Sequence, residues 1–259
     1  MEIRYGVSCQ FDKYDDVVKA GYDYIEPALN DIAKKSDEEI KAIEKRIAEK
    51  GIKAECVNCF FPWEISIVGE KLDIKVVEEY AKKAFEKVSK LGTKKAVIGS
   101  GWARRVPDGF SFEKGKEQFA SVVEICAKEA EKYGITIVIE PLRTQETNLI
   151  NTVEECVEFC DKLNIKNVFP LADFYHISQN GETLDAVINS KGKIKHVHVG
   201  GPKDRKMYSE FKDCKDELKR WKSALEACNY SGEITLEGKF DEDFYNDILK
   251  TKELFKSIF

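Results

Sequence analysis

Short apolar runs and charged, helix-periodic stretches alternate from one end of the chain to the other. The apolar runs cover residues 3–8, 22–27, 53–59, 95–99, 136–140, 168–172, 195–199 and 233–237. Near-continuous apolar character over so few residues is the mark of a strand buried on both faces, as in a parallel sheet. Between them lie segments such as SDEEIKAIEKRIAEK, DIKVVEEYAKKAFEKVSKL and EKGKEQFASVVEICAKEAEKY. Their apolar residues recur at three- and four-residue spacing and the other positions are filled with Lys and Glu, which predicts helices with one buried face. The joints AEKGIKA, EKYGITI and EACNYSGEI place Gly or Asn where a helix ends in a left-handed residue. Pro62, Pro107, Pro141 and Pro202 fall just beyond predicted strand ends, where a loop must leave the sheet.

Strand–helix repeats with no Pro-, Gly- or Ser-rich linker predict one α/β domain over residues 1–259, a single (β/α)8 TIM barrel. The chain length of 259 residues fits, since about 250 is typical of that fold. Two smaller doubly wound domains would need a glycine-rich phosphate loop after the first strand, and GVSCQFDKY does not supply one.

The chemistry lies where the apolar runs stop. Glu140 ends ITIVIE, Asp173 follows NVFPLA, His198 lies within IKHVHVG and Glu237 ends GEITLE. A carboxylate closing a buried strand is costly without a counter-charge. In a parallel barrel all the carboxyl ends of the strands meet at one mouth, so these four groups are expected to converge on one charged object. Each has a plainer reading alone: a lysine or arginine could hold Glu140 or Glu237, and Asp173 is a good helix N-cap by type. His196 is two residues before His198 on a strand and therefore faces the same way, one layer deeper, in a structural or supporting place. One imidazole and three carboxylates form a hard, oxygen-rich set, which favours Mn²⁺ or Mg²⁺, with Co²⁺ and Zn²⁺ as the alternatives.

Composition narrows the partners. The net charge of −5 and pI near 5.5 disfavour nucleic acid. No apolar run approaches the roughly 20 residues of a membrane span. MEIRYGVSC reads as a first strand and not as a signal peptide, so a cytoplasmic location is expected. The eight cysteines are dilute for a disulfide framework. Cys56 and Cys59, on a strand-like run, and Cys156 and Cys160, on a helix-like one, are expected to pack as small buried hydrophobes.

Taken as a set, GSGWARRVPDGFS, IEPLRTQETNLINT, LADFYH, HVHVGGPKDR and LEGKF make the chain resemble the sugar phosphate isomerase/epimerase superfamily, the xylose-isomerase-like barrels. It is similar to ketose 3-epimerases and hydroxypyruvate isomerases, nearly end to end. The resemblance implies metal ligation by Glu140, Asp173, His198 and Glu237, and proton transfer by Glu140 and Glu237. It also implies substrate contacts from Glu146, His176 and Arg205. Trp102 and Arg104, with Arg105, follow the fourth strand and look suited to closing over a polyol. One departure concerns the loop after His198, where ketose 3-epimerases usually carry an acidic residue and this chain has Gly200-Gly201-Pro202.

The expected activity is that of a divalent-metal-dependent sugar isomerase or epimerase, removing a proton beside a carbonyl to give an enediolate. The expected partner is a small-molecule sugar, and homo-oligomer formation is left open. The competing readings are a lyase of the inosose dehydratase type, an abasic-site endonuclease and a non-catalytic sugar-binding barrel.

Overall fold

A computed structural model describes residues 2–259. Among the described residues eight parallel strands follow one another: β1 (Ile3–Ser8), β2 (Tyr24–Glu26), β3 (Cys56–Val57), β4 (Lys95–Ile98), β5 (Thr136–Ile139), β6 (Val168–Asp173), β7 (His196–Val199) and β8 (Gly232–Leu236). Their order is β2-β1-β8-β7-β6-β5-β4-β3, and isolated parallel bridges Tyr24↔Lys53 and Ala28↔Asn58 bring the two ends together into a nearly closed barrel. Helices separate the strands, so the chain forms a single (β/α)8 barrel. The strand-like runs at 22–27 and 53–59 shrink to three and two ladder residues. Both flank the seam, where ladder pairing gives way to single bridges.

Alternation along each strand sorts the residues. Ile25, Val57, Ala96, Ile98, Ile137 and Ile139 face outward into the apolar layer under one set of helices, and Val7, Val197, Val199, Ile234 and Leu236 into the layer under the other. The inward positions split by chemistry. On β4, β5 and β6 the apolar trio Val97, Val138 and Leu171 packs together. On β2, β7 and β8 the alternating positions carry Tyr24, Glu26, His196, His198 and Thr235, all fully buried. Gly6 on β1 makes room for this half: a Cβ there would lie 2.1 Å from the Tyr24 ring.

The joints follow the sequence signals. The helix Asp37–Lys50 opens on a Ser36–Glu39 capping box and closes on Gly51 at φ 84°, a left-handed conformation that costs glycine no Cβ clash. Asn229 takes the same role before β8, at φ 58°. Cys56, Cys156 and Cys160 are buried as expected, but Cys59 is exposed. The reason is that β3 ends at Val57, so Cys59 lies in the loop, at φ 44°, rather than on a strand. No described helix is long and apolar enough to cross a membrane.

Candidate active site

Glu140 and Glu237 each stand one residue beyond a strand, yet both continue the ladder. The Glu140 amide donates to the Ile98 carbonyl at 3.2 Å and the Glu237 amide to the Val199 carbonyl at 2.9 Å. Their side chains therefore rise from the barrel rim with the directions of strand residues. Gly99 leaves space for one of them, since a Cβ there would lie 2.1 Å from Glu140 Oε2. Asp173 divides its carboxylate between two tasks. Oδ1 accepts from the amides of Tyr175 (2.7 Å) and His176 (3.4 Å), capping the helix Phe174–Asn180, while Oδ2 faces the mouth.

These side chains converge with His198. Its Nδ1 lies 3.0 Å from Glu140 Oε1 and 2.8 Å from Glu237 Oε2. One ligand atom from each of Glu140, Asp173, His198 and Glu237 lies within 4.8 Å of all the others. A cation already reaches into this space: Arg205 donates through one guanidinium nitrogen to Asp173 Oδ2 at 3.0 Å and Glu237 Oε2 at 2.6 Å. Three carboxylates and an imidazole clustered around a positive group fit a hard divalent ion both by charge and by donor type.

The electrostatics divide the carboxylates. Burial pushes the Glu140 carboxyl above its ordinary range, with the neighbouring Glu237 charge adding to it. Burial opposes ionisation of Glu237 as well, but Arg205 and then His198 outweigh it and bring its carboxyl down to about 2. Burial also works against charge on His198, and the carboxylates of Glu26 and Glu237 overcome it, raising the ring well above the usual histidine range. A divalent ion would have to displace that proton, because a ligating imidazole is neutral on the ligating nitrogen.

Of the residues expected to touch substrate, His176 and Arg205 reach this centre directly, and the others lie in the loops after β4 and β5. His176 is buried; its Nδ1 accepts from the Arg143 amide at 3.3 Å, so Nε2 carries the proton. Nε2 has no hydrogen-bond partner and sits 3.5 Å from Asp173 Oδ2. Glu146 is half-buried and paired with Arg143 at 2.7 Å, and Arg143 also donates to the Tyr175 hydroxyl at 2.7 Å. Arg205 lies over the same tyrosine ring, 4.7 Å from its centroid. Trp102 stacks on the exposed Trp63 with ring centroids 4.7 Å apart. Beside this pair, Trp102, Arg105 and Lys71 help line a cavity of about 660 Å³.

Arg104 departs from expectation. It is fully buried and donates to the backbone carbonyls of Ile98 (3.3 Å), Glu140 (2.6 Å) and Ile150 (3.4 Å). It points inward because three strand-end and loop carbonyls converge there and a guanidinium has enough donors to reach them all. It is a strut under Glu140, neither a surface ion pair nor a group at the mouth.

Glu26 joins the site without having been expected there from the sequence. It is fully buried, with Oε1 2.8 Å from His198 Nε2 and Oε2 2.9 Å from His196 Nε2. A signal for it existed: the chain reads YIEP at Glu26-Pro27 and VIEP at Glu140-Pro141, the same carboxylate-proline ending of a buried strand. Trp63 carries no comparable signal in the sequence. It follows Pro62 in a loop, and nothing in its spacing links it to Trp102.

A family model described as "Xylose isomerase-like TIM barrel" matches residues 14–257. Among curated proteins, the chain is 23% identical over 161 residues to 3-dehydro-D-guloside 4-epimerase of Escherichia coli, covering 60% of either protein. It is 27% identical over 189 residues to L-ribulose 3-epimerase of Mesorhizobium japonicum, covering 70% of this chain and 61% of that enzyme. With D-psicose 3-epimerase of Agrobacterium fabrum it shares 24% over 240 residues, 89% of this chain and 80% of the relative. The chain thus spans about three-fifths of the first two relatives. Among solved structures, the D-allulose 3-epimerase from Methylomonas sp. in complex with D-allulose superposes with a TM-score of 0.83 at 20% identity, covering 100% of this chain and 98% of that one. The E. coli 3-keto-D-glucoside 4-epimerase gives a TM-score of 0.82 at 18% identity, covering 99% and 100%. With the family model spanning nearly the whole chain over a barrel of the same architecture, the protein belongs to the xylose isomerase-like TIM barrel family.

Proposed function

We propose that this protein is a divalent-metal-dependent sugar epimerase or isomerase that moves a proton at the carbon beside a carbonyl. One observation carries the reading: two buried carboxylates, Glu140 and Glu237, reach the same His198 nitrogen from separate strands, with Asp173 closing the set. Glu140, Asp173, His198 and Glu237 would hold the ion, with Mn²⁺ or Mg²⁺ favoured by the oxygen-rich donors. When bound, it supplies Lewis-acid polarisation of the sugar carbonyl and its neighbouring hydroxyl.

The remaining chemistry belongs to side chains. A sugar seated over the mouth lies between Glu140 and Glu237. One carboxylate removes the carbon-bound proton to give the enediolate, and the other returns a proton to the opposite face or to the adjacent carbon. His176 offers its unpartnered Nε2–H to a substrate oxygen, and Arg205 offers guanidinium donors beside it. Glu146 reaches the sugar from the loop after β5, and Trp102 shields its apolar face from water. Arg104 serves this arrangement from below, fixing the Glu140 backbone. The relatives support the substrate class, since they act on ketoses and keto-glycosides. The test is to incubate the Mn²⁺-loaded protein with a panel of free ketoses and 3-keto glycosides and to resolve products by chromatography. An epimer or isomer that forms with metal and fails to form after chelation supports the proposal. No conversion of any member by the loaded protein contradicts it.

A further inference from the structure

Below the mouth the barrel holds a second, fully enclosed polar group. Glu26, His196, His198, Thr235 and Tyr24 are all 0% exposed. Glu26 Oε2 meets His196 Nε2 at 2.9 Å and accepts from the Thr235 hydroxyl, which lies 2.8 Å from the Tyr24 hydroxyl. Glu26 Oε1 lies 2.8 Å from His198 Nε2. His198 is thus held between two layers, Nε2 toward Glu26 and Nδ1 toward Glu140 and Glu237.

An ionised carboxylate only accepts hydrogen bonds, so the nitrogen facing Glu26 must carry a proton. A neutral imidazole then has its lone pair on Nδ1, aimed at the mouth. We infer that Glu26 is a positioning residue: it fixes the tautomer and ring orientation of His198 and thereby presents Nδ1 to a divalent cation. The inference rests on the proposed metal-dependent function. Partners of this kind behind a ligating histidine typically govern metal affinity by about ten- to a hundredfold.

Glu26 is itself well secured. His196 and Thr235 hold its second oxygen, and the backbone pairs with Ser8 on β1. Its buried carboxylate is met on both oxygens, by His198 Nε2 on one and by His196 Nε2 and the Thr235 hydroxyl on the other. Glu26, His196 and His198 also stand close enough together to be considered a metal site of their own. The two sites are exclusive, because one neutral imidazole cannot offer its lone pair both upward and downward. Three carboxylates at the mouth against one below favour the upward direction.

Two measurements decide the matter. Titration calorimetry with Mn²⁺ should find one ion per chain in the wild type and binding about ten- to a hundredfold weaker in E26Q. In ¹⁵N-histidine-labelled wild-type protein loaded with diamagnetic Mg²⁺, long-range ¹H–¹⁵N correlation should show His198 protonated on Nε2. This second experiment needs no variant and stands if E26Q fails to fold. E26Q affinity within threefold of wild type, two ions per chain, or a proton on His198 Nδ1 would each overturn the inference alone. A wild-type protein that binds no Mn²⁺ would overturn the metal reading with it.

Discussion

In the proposed reaction Glu140 and Glu237 move a proton, and their amides would preserve shape and much of the hydrogen bonding. E140Q and E237Q are each expected to lose about 10²- to 10⁴-fold in turnover, the usual contribution of a positioned acid or base. Circular dichroism and thermal unfolding should remain close to wild type. Near-normal turnover in either variant would remove that residue from proton transfer. A separate residue tests the electrostatics away from the mouth. Glu182 accepts from the Val153 amide at 2.9 Å, and burial raises its carboxyl to about 7, with Glu155 and Glu154 adding to the shift. Its folded value exceeds the unfolded one, so the stability it confers is complete below the ordinary carboxylate range and is lost as pH rises through about 7. E182Q should therefore be more stable than wild type at pH 8, on the order of 1 kcal/mol because the group is partly solvated, and gain nothing at pH 4. An equal difference at both pH values, measured by thermal unfolding, would contradict this. At this scale the sequence was most legible where residue type and strand end coincide, as at Glu140, Asp173, His198 and Glu237. It was least legible for Arg104, because the carbonyls that draw it inward belong to backbone the sequence does not place.

Strands and their flanking loops set the geometry that residue types cannot. The glycine after β4 illustrates this: a Cβ at Gly99 would lie 2.1 Å from Glu140 Oε2, so the loop can pass the carboxylate only without a side chain. Gly99→Ala is expected to leave the barrel folded while displacing Glu140 and weakening Mn²⁺ binding at least about tenfold, within the range for disturbed ligand positioning. Unchanged affinity by calorimetry would show that Glu140 does not depend on this space. Deeper in the barrel, Gly6→Ala would drive a methyl group into the Tyr24 ring, at a cost of about 1–3 kcal/mol for overpacking a close-fitted interior. Denaturant unfolding with no loss of stability would count against that packing. The element pattern was readable because buried parallel strands and one-faced helices differ so clearly in period. Strand lengths at the seam were not, since the apolar runs at 22–27 and 53–59 continue past the residues that pair. The burial of Glu26 behind His198 likewise depends on the β1–β2 register, which places it at the inner face of the rim.

Across the whole molecule, the barrel gathers at one end charges that repel one another and holds them with Arg205 and His198. Mn²⁺ at about a hundred times its dissociation constant should stabilise the fold by about 2.7 kcal/mol. For a domain of this size that corresponds to a rise of about 5–11 °C in the unfolding midpoint. Absence of any shift would mean that no divalent ion binds the native state. The opposite, amino-terminal end carries a different network, with Arg4 paired to Glu55 at 2.7 and 2.8 Å, Lys94 to Glu55 at 2.9 Å, and Lys95 to Glu233. There three cations face two carboxylates, while the mouth gathers more carboxylates than cations, which is where the proposed divalent ion would sit. The central claim is that a proton leaves the carbon beside a sugar carbonyl at that mouth. The most direct measurement is NMR of ketoses and 3-keto glycosides incubated in deuterated water with the Mn²⁺-loaded protein, after removal of the ion. Deuterium should enter at the carbon adjacent to the carbonyl with wild-type protein and not with E140Q or E237Q. No deuterium in any sugar, from protein shown to carry its metal, would contradict the account.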